Sequence, residues 1–155
     1  RYQEITGCLI YLASITCYDI ADGLMAITQK RSSAVHESMK SAKMILRLIK
    51  GIPSLGINLK RGHFSLKGHS DASFASPTLK YRPASRYLVA LGGGFIFFGS
   101  RLQWIAVEYT CEAELLAVRN AVKHTTYIRR LLAELGFKQN VPAPVHCDNR
   151  AACTI

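Results

Sequence analysis

The stretch Arg86-Tyr87-Leu88-Val89-Ala90-Leu91-Gly92-Gly93-Gly94-Phe95-Ile96-Phe97-Phe98-Gly99-Ser100-Arg101-Leu102 reads as two short strands, Arg86 to Leu91 and Phe95 to Leu102, parted by three glycines. A third strand-like stretch precedes them, from His63 to Phe74, with loop residues such as Ser76-Pro77 between. Three successive short strands form an antiparallel meander. Downstream, a helical pattern begins near Thr110 and persists to Leu135, and Gly136 stands where a C-terminal cap is expected. Pro142-Ala143-Pro144 then leads into a short strand, Val145 to Cys147, and another helix starts at Arg150. The order strand, strand, strand, helix, strand, helix predicts an α/β fold with a mixed sheet.

Working outward, the first sixty residues carry two helical patterns. The earlier places Tyr2, Ile5, Leu9, Leu12 and Ala13 on one face, with Gly7 as a blemish. The later runs from Ser33 through Val35, Met39, Ala42, Ile45 and Ile49 to a stop at Gly51 and Pro53. Its other face carries Lys40, Lys43, Arg47 and Lys50. That stripe reads first as the wet side of an amphipathic helix, and second as a contact for a phosphate backbone.

Twenty Lys and Arg against ten Asp and Glu give a net charge of +10, a field that favours polyanions, nucleic acid before an anionic membrane surface. The longest apolar run, Tyr87 to Phe98, is interrupted by glycines and falls short of the roughly 20 residues a membrane span needs, so no transmembrane segment is expected. The five cysteines show neither a Cys-x-x-Cys pair nor a zinc-like His spacing, and read as reduced, mostly buried thiols of an intracellular protein. Starting at Arg1, the chain reads as a fragment of something longer.

With so few acids, their placement is informative. At about 100° per residue, Glu114 shares the apolar stripe of its helix with Ala117, Val118, Ala121, Thr125, Ile128 and Leu132, whereas Glu112 falls on the polar side with Arg119, Lys123, Arg130 and Glu134. A carboxylate on an apolar stripe is costly unless a partner such as a divalent cation compensates it. Both glutamates also suit the positive end of the helix dipole, a better account of Glu112 than of Glu114. Asp71 lies in a strand-like stretch on one face with Lys67 and His69, or else starts a turn. Asp148 ends a strand, where it reads singly as an N-cap, a role that Asn149 suits equally. Together, Asp71, Glu114 and Asp148 are candidate oxygen ligands for Mg²⁺, with Mn²⁺ as a substitute. Two such ions can activate water and stabilise the leaving oxygen of a phosphodiester.

Several stretches resemble one family. Gly68-His69-Ser70-Asp71-Ala72-Ser73-Phe74-Ala75, Leu91-Gly92-Gly93-Gly94, Ser100-Arg101-Leu102-Gln103, Thr110-Cys111-Glu112-Ala113-Glu114, Arg129-Arg130-Leu131-Leu132 and His146-Cys147-Asp148-Asn149 are similar, in order and spacing, to the ribonuclease H domain that ends copia-type (Pseudoviridae) retrotransposon Pol polyproteins. Upstream, Gly7-Cys8-Leu9-Ile10-Tyr11-Leu12, Asp19-Ile20-Ala21 and Ala42 to Gly51 resemble the connection segment of the reverse transcriptase. The resemblance implies a mostly helical connection segment over residues 1–60 and a ribonuclease H-like domain over residues 61–155, truncated at its C-terminus. By resemblance the catalytic and metal-binding acids are Asp71, Glu114 and Asp148, and the reaction is Mg²⁺-dependent hydrolysis of the RNA strand of an RNA–DNA hybrid during reverse transcription. The implied partners are that hybrid and the reverse transcriptase portion of the same polyprotein, with no membrane, in a cytoplasmic virus-like particle or the nucleus. Lys40, Lys43 and Arg47 are the candidate nucleic-acid contacts.

The chain also departs from the family's pattern. The family's fourth acid and its neighbouring histidine are expected in a later segment, Arg86 stands where a glycine usually precedes the tyrosine, and Cys17-Tyr18 replaces the usual Arg-Pro. These departures support an alternative reading, a decayed, non-catalytic remnant that at most binds nucleic acid. A transposase or integrase core shares the metal logic, but there the glutamate generally follows both aspartates, whereas Glu114 lies between them.

Overall fold

A computed structural model describes residues 2–29, 35–59, 64–73 and 82–154. Ser33, His63, Phe74 and the Ser76-Pro77 loop lie outside these residues. The chain divides into two compact units, Arg1–Ile57 and Asn58–Ile155.

The first unit is helical: α1 (Tyr2–Ile15), a single 3-10 turn (Tyr18–Ile20), α2 (Ala21–Gln29) and α3 (Val35–Gly51). The apolar spacing read from the sequence becomes its core, where Leu9 and Ala13 of α1 meet Ile20, Leu24, Ile27 and Ala42, flanked by Tyr2, Ile5, Leu12, Ile45 and Ile49. The Tyr2 hydroxyl donates to the Ile27 carbonyl at 2.9 Å, tying α1 to the end of α2. Two helical patterns were expected here and three helices form. Among the described side chains of α2 only Leu24 and Ile27 are buried, too few to trace a stripe, and Gly23 interrupts it where a β-carbon would lie 3.5 Å from Ile45. Lys40, Lys43 and Arg47 are exposed along α3.

The second unit is the expected mixed α/β arrangement. Strands β1 (Leu66–Ser73), β2 (Ala84–Leu91) and β3 (Gly94–Leu102) form an antiparallel meander. Helix α4 (Thr110–Glu134) crosses back, and β4 (Val145–His146) pairs parallel to β1, giving the order β3-β2-β1-β4 before the short α5 (Arg150–Thr154). The β2–β3 turn uses Gly92 and Gly93 at φ 60° and 84°, backbone that side chains other than glycine's rarely adopt. At the end of α4, Gly136 at φ 86° closes a Schellman motif: the Phe137 N–H donates to the Leu132 carbonyl at 2.8 Å and the Gly136 N–H to Ala133 at 3.1 Å.

Alternation decides what faces the helix. Leu66 and Val89 project toward α4 and pack with Ile128 and Leu132, with Leu91, Phe97 and Ala143 at the margin. On the same side His124 of α4 stacks on Tyr87 at 4.5 Å between centroids and lies 4.7 Å from Phe97. Gly68 permits the close approach: a β-carbon there would stand 2.7 Å from Thr125 Oγ1 and 3.0 Å from Val145 Cγ2. The missing side chain therefore lets α4 and β4 close on β1. Among the described residues, no helix is long and apolar enough to cross a membrane.

Candidate functional site

The first turn of α4 lies against the middle of the sheet because Gln103, just beyond β3, is buried there. Its Nε2 donates to Ser85 Oγ and to the Ala113 carbonyl, both at 2.8 Å, and its backbone N–H donates to the Pro83 carbonyl at 2.8 Å. One strand end, β2 and the helix start are thereby fixed together, one residue before Glu114.

Glu114 is 7% exposed, and it lies on the buried face with Ala117, Ala121, Thr125, Ile128 and Leu132, as the helical period predicts. Glu112 is exposed and accepts a hydrogen bond from the Glu108 N–H at 3.3 Å, the local first-turn role expected of it. Burial pushes the Glu114 carboxyl above its ordinary value, and the negative charges of Asp148 and Asp71 push the same way. Hydrogen bonds from the Ala72 backbone and the Cys147 thiol act against that rise. The thiol lies 3.9 Å from Glu114 Oε2 and is half-buried; against the expectation of mostly buried thiols, Cys17 and Cys111 are half-buried too, and Cys8 and Cys153 are exposed. The Cys147 proton is held more tightly than usual, through burial first and the Glu114 charge among the lesser causes.

Asp148 follows β4 and is exposed. The N-cap role open to it in the sequence is taken by Asn149, whose Oδ1 accepts the Ala152 N–H at 3.0 Å. The Asp148 carboxylate is left to the site. Ligand atoms of Glu114, Cys147 and Asp148 all lie within 4.8 Å of one another. Beside them, β4 is held to β1 by the Gly68 N–H on the Pro144 carbonyl at 2.9 Å, by Ser70 Oγ on the His146 carbonyl at 3.2 Å, and by the stacked rings of His69 and His146 at 4.9 Å.

Asp71 sits inside β1 rather than at a turn, with Lys67 and His69 at the alternate positions that share its face. It is close enough to act electrostatically on Glu114 but is not among the three convergent ligand atoms. Its carboxylate is engaged by Arg86, directly opposite on β2, whose Nη1 donates to Asp71 Oδ2 at 2.9 Å. Of the three acids singled out, two therefore meet at short range and the third stands nearby in an ion pair. The sequence reading did not place Cys147 or the Arg86 contact at the site. Adjacency to Asp148 was the available signal for Cys147, and only strand register reveals the position of Arg86.

Two carboxylates, one of them buried and neighboured by a second negative charge, make a donor set that suits a hard divalent ion. The protonated thiol adds a soft neighbour. On α4 and the end of β3, a pocket of about 220 Å³ lined by Arg101, Gln103, Trp104, Arg119 and Asn120 places two guanidinium-bearing residues and an indole 91% exposed beside the same helix.

Comparison with known proteins places similarity along nearly the whole chain. It is 36% identical over 98% of its length to a retrovirus-related Pol polyprotein from transposon RE1 of Arabidopsis thaliana, and 29% identical over 97% to one from transposon TNT 1-94 of Nicotiana tabacum. These matches span only 10% and 11% of the polyproteins' lengths. It is also 27% identical over 82% of its length to secreted RxLR effector protein 161 of Plasmopara viticola, covering 90% of that protein. No family model and no solved structure matches the chain.

Proposed function

We propose that residues 58–155 are a ribonuclease H-type domain of a retrotransposon Pol polyprotein, hydrolysing the RNA strand of RNA–DNA hybrids with Mg²⁺ or Mn²⁺, and that residues 1–57 are the end of the reverse transcriptase connection segment. The observation that carries this reading is Glu114, a carboxylate buried on an apolar helix face and met there by Asp148 from another element. Such a pair is costly without a cation. The order of Asp71, Glu114 and Asp148 along the chain and the similarity to Pol polyproteins support a nuclease over other divalent-ion chemistries.

Glu114 and Asp148 would hold the ion, which when bound supplies Lewis-acid polarisation of a phosphodiester and activation of water. The chain's own groups set the stage. Gln103 fixes the helix start, the Ala72 N–H orients Glu114, and Asn149 caps α5 so that Asp148 need not. Arg101 and Arg119 offer charge to a phosphate backbone and Trp104 a flat apolar surface to a sugar or base. Lys40, Lys43 and Arg47 add an exposed basic stripe on the first unit. Work of this kind belongs in a cytoplasmic particle or the nucleus, alongside the reverse transcriptase of the same polyprotein.

A second reading, a non-catalytic remnant that binds nucleic acid, is favoured by the Arg86–Asp71 ion pair, which already satisfies one of the three acids. The two separate in one experiment. The chain is incubated with a hybrid labelled on its RNA strand, with Mg²⁺ or with a chelator. Cleavage lost in Glu114→Gln and Asp148→Asn supports the nuclease. Salt-sensitive binding without cleavage, indifferent to Glu114→Gln and to the chelator, supports the remnant.

A further inference from the structure

The three acids do not stand in equivalent electrostatic surroundings. Asp71 and Arg86 are cross-strand partners in the β1–β2 register, so their side chains rise from one face of the sheet, and the guanidinium donates to Asp71 Oδ2 at 2.9 Å. Both side chains are part exposed, 34% for Arg86 and 50% for Asp71, and so within reach of ions from solvent. A guanidinium keeps its charge at every pH at which a protein stays folded. Lys67 and His69 share this face. At Glu114 the charges that act are those of two other carboxylates, Asp148 and Asp71, and both are negative. One acid thus carries its own cation, while the other two repel each other.

We propose that Arg86 is a resident counter-cation that withholds Asp71 from metal, so that the chain takes up a divalent ion through Glu114 and Asp148 alone, and with an affinity set by the Arg86 charge. This inference rests on the reading of Glu114 and Asp148 as divalent ligands. An ion that recruited Asp71 would have to displace the guanidinium and then bear its repulsion. For a divalent ion and a guanidinium roughly 6 Å apart in a water-like dielectric, that repulsion weakens binding about tenfold. Removal of the Arg86 charge would consequently turn a looser, two-carboxylate site into a tighter, three-carboxylate one.

Mn²⁺ binding to the whole chain without nucleic acid, followed by the fall in the electron paramagnetic resonance signal of free Mn²⁺, tests this apart from any activity. Arg86→Gln should tighten binding about tenfold, whereas Arg86→Lys, which keeps the charge, should stay within about twofold of the parent chain. Asp71→Asn, which leaves the Arg86 charge unpaired, should weaken the parent's binding, and Asp71→Asn with Arg86→Gln, which removes both charges, should return it to the parent's value. Unchanged or weaker binding in Arg86→Gln, with binding still lost in Glu114→Gln, overturns the counter-cation and leaves the site standing. Unchanged or tighter binding in Asp71→Asn of the parent chain overturns it too, and does so even if the Arg86 variants fail to fold. Binding indifferent to Glu114→Gln, or absent from every variant, overturns the site reading and this inference with it.

Discussion

Replacing Glu114 by Gln should make the second unit more stable while removing its capacity for a divalent ion, two effects of opposite sign from one side chain. Ligand atoms of Glu114 and Asp148 lie within 4.8 Å, a separation at which two unit charges repel by about 0.9 kcal/mol in a water-like dielectric and about 3.5 kcal/mol at an effective value near 20. Asp148 is exposed, so the lower end applies. Gln keeps a carbonyl to accept the Ala72 N–H and sheds the charge, so a gain of about 1 kcal/mol is expected at pH 7.5 without metal, roughly 4–8 °C in the melting of a ~100-residue unit. The pH dependence follows from the raised Glu114 carboxyl. Because the native state holds that proton more tightly than the unfolded chain, its contribution to stability is fully present below the ordinary value of 4.5 and is lost as pH rises through the raised native value. The advantage of Gln should therefore be largest at neutral pH and vanish below about pH 4.5. Thermal melts followed by circular dichroism across that range are the assay, with the first unit's transition as an internal reference. A Gln variant less stable than the parent at neutral pH would refute the claim that burial and the neighbouring carboxylates outweigh the two hydrogen bonds at Glu114.

Two further changes probe the scaffold around the acids. Gly68→Ala would set a methyl 2.7 Å from Thr125 Oγ1 and 3.0 Å from Val145 Cγ2, so urea denaturation should show a loss of about 1–3 kcal/mol, partly recovered with Thr125→Ala; a loss under about 0.5 kcal/mol contradicts the close approach of α4 and β1. Asn149→Ala removes the cap on Ala152 and should cost about 1 kcal/mol locally, read as faster amide exchange at Ala152 with the β1–β3 amides unchanged; equal rates at Ala152 contradict the cap.

How far the residues alone disclosed this architecture depends on the range of the interactions involved. Glu114 was legible because a helix repeats every 3.6 residues, so burial of a carboxylate among Ala117, Ala121 and Ile128 follows from local spacing. The strands were legible from alternation, and their ends moved by only a few residues, β2 beginning at Ala84 rather than Arg86. Helix α2 was not, since nine residues with a glycine and two buried side chains carry too little periodic signal. The Asp71–Arg86 contact was beyond sequence reach for another reason. A slip of one residue in strand pairing would send Arg86 to the opposite face, and alternation alone does not fix that register. The competition between Asp148 and Asn149 for the cap was likewise undecidable from composition, because either side chain can accept the same amide.

The parallel partner of β1 is only two residues long, Val145–His146, and Asp148 hangs two positions beyond it. Glu114, in contrast, is carried by a 25-residue helix packed on the two eight-residue strands β1 and β2. On the proposed reading, one ligand of the ion would thus belong to the frame, and the other would hang from a short segment whose detachment breaks few bonds. An ion that bridged the two would also have to hold that segment in place, so part of its binding free energy would go to ordering chain, and whatever else clasped residues 145–154 would raise the affinity without touching the ion.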